Sequence, residues 1–219
     1  MSDLRAVLFD WRGTLAVTLS AEQWARTALT RFGRSAGPGE VAALARTLDD
    51  LEPQLDGPDI DTDADLHRTT YLRALADAGL DDPLVAELYA VESDLACNPF
   101  AGDAAATLRL LRGAGLRLAV VSDIHVDIRP AFATVGLDAL IDVFTLSFEL
   151  GVQKPDPAMF LRTLQALDVE PGHALMVDDR PSHDGAAVDT GLTTLLLPPL
   201  RSVDDLRLHR VAAACGLPE

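Results

Sequence analysis

The pattern of apolar and polar positions changes twice along the chain. The four-residue apolar run from Ala6 to Phe9 is partly β-branched and too short for a helix, so it predicts a buried strand followed by a turn at Gly13. Residues 16–98 then show helical spacing without a strand pattern. Capping residues and helix breakers predict helices over 20–34, from Glu40, over 65–78 and over 83–97, with a loop over 54–64.

From Asp103 onward, short strands alternate with helices. The pattern predicts helices over 103–112, 128–135, 157–167 and 185–190, and strands over 116–121, 143–146, 174–177 and 193–196. Such alternation is typical of an α/β fold with a parallel, Rossmann-like sheet. Because the first strand precedes the helical residues, we expect 16–98 to be an inserted helical cap. Residues 1–15 and 99–219 then form the α/β core, with the cap over the carboxyl edge of its sheet.

Polar side chains follow the predicted strands where each strand ends. They are Asp10, the pair Ser122 and Asp123, Lys154, and the acids Asp178, Asp179 and Asp184. In an open parallel sheet this edge binds ligands, so we expect these residues to converge. An attacking acid, a hydroxyl, a cation and metal-binding acids are the groups that phosphoryl transfer needs.

Net charge and cysteine content limit the kinds of partner that we expect for this protein. The formal net charge of −16 argues against binding to nucleic acid or anionic lipid, because such partners need a positively charged protein surface. No apolar stretch approaches a membrane span or a signal segment, and the two cysteines lack metal-ligand spacing. We therefore expect a cytoplasmic protein, a monomer or homodimer, with a small-molecule substrate and no nucleic-acid or membrane partner.

Lysine is nearly absent from the sequence. Lys154 is the single lysine among 18 lysines and arginines. A lone lysine against this background predicts a site that needs a compact ammonium and that a planar guanidinium cannot serve.

Four segments, residues 9–15, 120–123, 153–157 and 178–184, resemble in this order the motifs of the haloacid dehalogenase (HAD)-like hydrolases, most of which are phosphatases. The resemblance implies that Asp10 is a nucleophile that forms an aspartyl-phosphate. It implies that Ser122 and Lys154 hold the transferring group and that Asp10 and Asp179 bind Mg²⁺. The backbone carbonyl of Arg12 would be a further ligand, and Asp184 would be a ligand or a support.

Residues 16–98 match the small helical cap of this family, which favours a small, soluble substrate. Two further residues are assigned to substrate binding on the same basis. Trp11 packs against the core or lines the entrance to the site, and Asp123 stands where the family more often has an amide. Two histidines near the mouth, His125 and His183, are candidates for moving protons at neutral pH.

Arg12 is the main departure from the family. The phosphatases normally have an aspartate there that protonates the leaving oxygen and then activates water. An arginine stays protonated above pH 12, so it cannot cycle as acid and base. Restoring an aspartate at position 12 is therefore expected to raise turnover, unless Arg12 is itself a working catalytic residue that clamps a substrate anion.

Three functions remain open. The favoured one is a Mg²⁺-dependent phosphatase or phosphotransferase for a small phosphorylated metabolite, in which water, a histidine or the substrate replaces the acid. The second is a non-phosphate hydrolase of the haloacid dehalogenase type, against which the acids 178, 179 and 184 argue. The third is a degenerate ligand-binding or regulatory domain in which Arg12 plugs the metal pocket through Asp10 or Asp179.

Overall fold

A parallel sheet forms the centre of the computed structural model, which describes residues 3–181 and 187–218. Its five strands are β1 (Ala6–Phe9), β2 (Arg117–Ser122), β3 (Val143–Leu146), β4 (Ala174–Asp178) and β5 (Thr193–Leu196), in the order β3-β2-β1-β4-β5. Each neighbouring pair is parallel. The structure thus confirms the predicted α/β class and its Rossmann-like sheet.

The helices agree closely with the sequence pattern. They are α1 (Ala21–Arg31), α2 (Pro38–Leu55), α3 (Ala64–Asp77), α4 (Asp82–Glu92), α5 (Ala104–Gly113), α6 (Arg129–Thr134), α7 (Ser147–Leu150), α8 (Pro157–Leu167) and α9 (His209–Ala214). A 3₁₀ turn, Ile60–Thr62, joins α2 to α3. Part of the helix predicted over 185–190 lies outside the described residues.

Several helix boundaries differ from the prediction, and helix α1 ends at Arg31 rather than near Arg34. Helix α2 continues to Leu55 through Pro53, where a loop was expected from Gln54. Helix α4 ends at Glu92 rather than near Cys97, because Asp94 begins a separate 3₁₀ turn by accepting the N–H of Ala96 at 2.9 Å.

Local chemistry explains where the helices begin. Ser20 and Gln23 form a reciprocal capping box at the start of α1. The side chain of Asp63 accepts the N–H of Leu66 at the start of α3, and Asp81 caps α4 in the same way. These caps satisfy N–H groups that have no partner within the helix.

The central strand β1 places Asp10 in the middle of the carboxyl edge. All four residues of β1 are buried, and its alternate side chains enter the apolar clusters on the two faces of the sheet. Phe9 is in register with Val120 on β2 and with Val177 on β4. The residues that follow these three strands therefore meet at one point.

Residues 16–98, called here the helical insertion, have an apolar cluster of their own. Helix α1 packs on α2 and α4, and α3 packs on α4. Their buried leucines, valines and alanines form a cluster separate from those of the sheet. Among the described residues, no helix has the length and apolar character needed to cross a membrane.

Candidate active site

Lys154 lies at the centre of the polar group on the carboxyl edge. Its Nζ donates hydrogen bonds to Asp10 Oδ1 at 2.9 Å and to Asp178 Oδ2 at 2.7 Å. The lysine is 1% exposed and Asp178 is completely buried. A buried charge is tolerated when it is paired and hydrogen-bonded, so these three groups depend on one another. The contact on two carboxylates also gives a reason for a compact ammonium here.

The carboxylates at this edge carry more charge than Lys154 neutralises. Asp10, Asp178 and Asp179 each place an oxygen within 4.8 Å of the others. Burial raises the pKa of Asp10 to about 7; Lys154 opposes this rise, and the neighbouring carboxylates add to it. Burial and Asp178 also raise the pKa of Asp179. A divalent cation among these oxygens would relieve the repulsion.

The donor set suits Mg²⁺, which prefers carboxylate and carbonyl oxygens. Asp178 uses both of its oxygens within the protein, because one accepts from Lys154 and the other from the N–H groups of Asp179 and Arg180, at 2.6 and 3.2 Å. Asp10 and Asp179 are therefore the better placed donors. Asp184, predicted as a further ligand, lies outside the described residues.

The turn after β1 supports Asp179. Gly13 has φ of +83°, and a Cβ atom there would overlap the carboxylate of Asp179. Thr14 Oγ1 donates a hydrogen bond to Asp179 Oδ1 at 3.3 Å. On the other side of the turn, the buried Arg207 donates to the carbonyls of Gly13 and Thr14. Glycine is thus required here both by the backbone conformation and by the approach of the acid.

Ser122 and Asp123 have different positions at the end of β2. Ser122 is buried, and its Oγ makes a long, 3.5 Å contact with the carbonyl of Asp123. The carboxylate of Asp123 accepts the backbone N–H of Lys154 at 2.8 Å and lies 3.9 Å from Arg180. Asp123 therefore fixes the loop that carries the lysine.

Arg12 points toward the helical insertion. Its guanidinium donates to Glu92 Oε1 at 2.5 Å and to the Glu92 carbonyl at 2.6 Å. The pair joins the first motif to the C-terminal end of α4, where the helix dipole also favours a cation. A salt bridge from Arg12 to Asp10 or Asp179, which would plug the metal pocket, is not formed in the described part of the chain, because Glu92 takes the guanidinium.

Trp11 is completely buried and belongs to the apolar cluster on one face of the sheet. The sequence left open whether Trp11 packs against the core or lines the entrance to the site, and in the structure it packs against the core. Its burial does not fit the assignment to substrate binding.

A cavity of about 620 Å³ separates the carboxyl edge from the helical insertion. Its size is typical of a small-molecule site. The residues that line it come from both parts and include Asp10, Ser122, Asp123, Asp179, Arg180 and Arg201 from the core and Trp24, Asp61, Tyr71 and Glu92 from the insertion.

Sequence reasoning missed two of the three arginines that line this cavity, Arg180 and Arg201. Arg180 follows Asp179 directly and forms an ion pair with Asp56 at 2.8 Å, across to the end of α2. Its adjacency to the acidic motif was the available signal. Arg201 follows β5 in a segment without periodic pattern, and no motif marks it.

Beside the cavity lies a group of side chains that we call the histidine cluster, made of Asp61, His67, Glu92 and His125, of which Asp61 and Glu92 also line the cavity. His67 on α3 and His125 after β2 are both buried and stack with ring centroids 3.4 Å apart. Burial lowers the pKa of His67 to about 4, so its ring is neutral at physiological pH. The second histidine predicted near the mouth, His183, lies outside the described residues.

Sequence comparison relates the chain to hydrolases. A family model described as haloacid dehalogenase-like hydrolase matches residues 4–188. The haloacid dehalogenase-like hydrolase domain-containing protein 3 of Bos taurus is 33% identical over 121 residues, which are 55% of this chain and 48% of that protein. The phosphoserine phosphatase of Thermus thermophilus is 36% identical over 87 residues, or 39% of this chain and 35% of that protein. The chain thus spans about half, or less, of these curated relatives.

Solved structures share the fold over almost the whole chain. A dehalogenase superimposes with a TM-score of 0.70 at 22% identity, covering 98% of both chains. A HAD phosphatase from Thermococcus onnurineus superimposes with a TM-score of 0.64 at 24% identity, covering 97% of this chain and 98% of that one. At these identities the likeness concerns the fold alone.

Proposed function

The chain belongs to the haloacid dehalogenase-like hydrolases, and within this family we propose that it is a Mg²⁺-dependent phosphatase or phosphotransferase for a small phosphorylated metabolite. The observation that carries the proposal is the contact of Lys154 with Asp10, at 2.9 Å, beside two further carboxylates. It combines a nucleophile, a cation for phosphoryl oxygens and donors for a hard metal ion. The similarity to a phosphatase at 36% identity supports the same class.

In this proposal Asp10 attacks the phosphorus atom of the substrate. A bond forms between its carboxylate oxygen and phosphorus, and the bond to the leaving oxygen breaks. Lys154 and the hydroxyl of Ser122 hold the equatorial oxygens, which carry most of the charge. Water then hydrolyses the aspartyl-phosphate, which releases phosphate and restores Asp10. Asp10, Asp179 and the carbonyl of Arg12 would hold Mg²⁺, which supplies positive charge beside the transferring group.

Arg12 does not supply a proton in this scheme. Its guanidinium is held by Glu92 and stays charged, so the leaving oxygen takes its proton from water or from the substrate itself. A slow phosphatase, fastest with esters whose leaving groups need no proton, follows from this arrangement.

The helical insertion closes the site in this proposal. Residues 16–98 act as a cap and 1–15 with 99–219 as the catalytic core, because the cavity is lined from both sides. Its volume of about 620 Å³ and its mixture of acids and arginines favour a small polar substrate.

The test measures two products with one set of proteins. Wild type, Asp10→Asn and the matched control Asp77→Asn, an exposed acid on α3, are incubated with Mg²⁺ and a panel of phosphate esters and 2-haloacids. Phosphate release that is lost only in Asp10→Asn supports the phosphatase. Halide release without phosphate release would move the assignment to a dehalogenase, and absence of both would favour a binding domain.

A further inference from the structure

The histidine cluster lies at the junction of the helical insertion and the core, and the reaction described above does not use its Asp61, His67 or His125. Asp61 comes from the 3₁₀ turn before α3, His67 from α3 itself, and His125 from the loop after β2. The side chains of both histidines are at most 2% exposed.

Three polar atoms of the cluster face one another without forming hydrogen bonds. Asp61 Oδ1 lies 3.8 Å from His67 Nε2 and 3.7 Å from His125 Nδ1. Both distances are too long for a hydrogen bond. They are close to the separation of about 3.3 to 3.5 Å between neighbouring ligands of a tetrahedral ion with bonds of about 2.0–2.1 Å.

The other nitrogen of each histidine already has a partner. His125 Nε2 lies 3.0 Å from Ser93 Oγ and 3.4 Å from Glu92 Oε2, which favours a proton on that nitrogen. Its Nδ1 is then an acceptor, yet it has no hydrogen-bond partner among the described residues although it is buried. A buried acceptor left in this way requires an explanation.

The second nitrogen of His67 is held in a similar way. Its Nδ1 lies 3.4 Å from the hydroxyl of Tyr89, and its Nε2 faces both Asp61 Oδ1 and Glu92 Oε2, each at 3.8 Å. Histidines that bind metals usually have their second nitrogen held by a carboxylate, hydroxyl or carbonyl group in this manner.

We propose that His67 Nε2, His125 Nδ1 and Asp61 Oδ1 bind one transition-metal ion, with Zn²⁺ best suited to the donors. Two imidazoles and one carboxylate are a zinc-type set and leave a fourth position for water. The two rings lie face to face, so one must turn about its Cβ–Cγ bond for both lone pairs to meet the ion. This torsion is soft in histidine itself, and the turn exchanges the stacking of the two rings for the bonds to the metal.

The backbone of Asp61 is already fixed against the core. Its N–H donates to Gln153 Oε1 at 3.1 Å, and its carbonyl accepts from Ser147 Oγ at 2.7 Å. The backbone of Asp61 therefore needs little further ordering to place its carboxylate beside the ion. An ion at this place would connect the helical insertion to the core through two ligands from one part and one from the other.

The experiment uses Zn²⁺ and Co²⁺ as probes. Chelator-treated wild type is titrated with Zn²⁺ by calorimetry and with Co²⁺ by visible absorption, which is strong for four-coordinate cobalt. Asp61→Asn removes one ligand without changing shape. His67→Phe removes a second ligand and keeps a ring against Tyr71, on which His67 stacks at 4.0 Å. Asp59→Asn, an exposed acid two residues from Asp61, is the matched control.

In excess Mg²⁺, which occupies the proposed carboxylate site, we expect wild type and Asp59→Asn to bind one equivalent of Zn²⁺ and to gain melting temperature from it. Binding to Asp61→Asn and His67→Phe should be weaker by at least about tenfold, as is common when a metal site loses part of its shell. Asp10→Asn, which lacks the proposed nucleophile, should bind as wild type does.

This last variant separates the zinc site from the proposed reaction. Zinc binding that disappears in Asp10→Asn would place the ion at the carboxyl edge and overturn the proposal. Binding unaffected by both Asp61→Asn and His67→Phe, or no binding by wild type, would overturn it too.

Discussion

Arg12 and Glu92, 80 residues apart in the sequence, form a hydrogen-bonded ion pair at 2.5 Å between the first motif and the end of α4. Glu92 is 9% exposed, so its charge depends on this partner. Burial alone would raise the pKa of Glu92, but Arg12 and the two histidines hold it below its ordinary value. Arg12 is therefore part of the contact between the core and the helical insertion.

This pair changes what an aspartate at position 12 would do. In Arg12→Asp a second carboxylate would face the buried Glu92, and we expect a loss of roughly 3–5 kcal/mol in the free energy of unfolding. The double variant with Glu92→Gln removes the repulsion and keeps the shape of the side chain. It should recover most of the stability and hydrolyse an alkyl phosphate ester faster than wild type, by up to about 10² to 10⁴, with a smaller gain for p-nitrophenyl phosphate, whose leaving group needs no proton.

Glu92→Gln alone is the control for this experiment, measured by thermal unfolding and steady-state hydrolysis with Mg²⁺. A folded double variant that is no faster than wild type would show that the missing acid does not limit turnover. Arg12 would then act by binding an anionic group of the substrate.

Lys154→Arg should impair turnover nearly as much as Lys154→Ala. The ammonium contacts two carboxylates at 2.9 and 2.7 Å in a completely buried position, and a longer planar group cannot occupy the same place. Phosphate-ester hydrolysis and binding of a phosphate analogue both test this. If the arginine variant kept most of the wild-type activity, Lys154 would contribute only its positive charge and not its compact shape.

Amine labelling gives an independent view of the same residue. Because Lys154 is the single lysine and is 1% exposed, an amine-reactive ester should leave its side chain unmodified in the folded protein. Modification should appear only on unfolding, as a second labelled amine detected by mass spectrometry. Rapid labelling under native conditions would contradict the burial.

The three clustered acids should respond differently to amide substitution. Asp10→Asn and Asp179→Asn are expected to weaken Mg²⁺ binding, because these acids have the freer oxygens. Asp178→Asn should mainly lower the melting temperature, since its oxygens accept bonds from Lys154 and from two backbone N–H groups. Titration calorimetry and thermal unfolding separate the two effects. Equal loss of Mg²⁺ binding in all three variants would mean that Asp178 is also a ligand.

Much of the fold was predictable because local patterns decide it. The strands predicted over 6–9, 143–146 and 193–196 agree with β1, β3 and β5 residue for residue, β4 is one residue longer than predicted, and β2 is shifted by one residue. The short helices α7 and α9 were missed because their four and six residues carry too little periodic signal. Of the site, sequence spacing placed Asp10, Ser122 and Lys154 at one edge through the order of the strands.

The remaining contacts cross between distant segments, and no spacing rule reports them. Nothing near Arg12 in the sequence points to Glu92, and nothing near His125 points to His67, because the partners lie on helices whose packing is set by their apolar faces. The sequence marked Asp178 only as one of several acids at this edge, whereas the contact with the buried lysine makes it a structural acid. The catalytic and metal-binding roles themselves stay predictions.

The link between Arg12 and Glu92 also restricts how this sequence can change. A single substitution that places an acid at position 12 meets a buried carboxylate, and a single substitution at position 92 leaves the Arg12 cation without its partner. Each residue thus makes the loss of the other costly, so a change to an acid at position 12 passes through two coordinated substitutions or a less stable intermediate. Lineages that carry this pair are expected to keep or lose it as a unit.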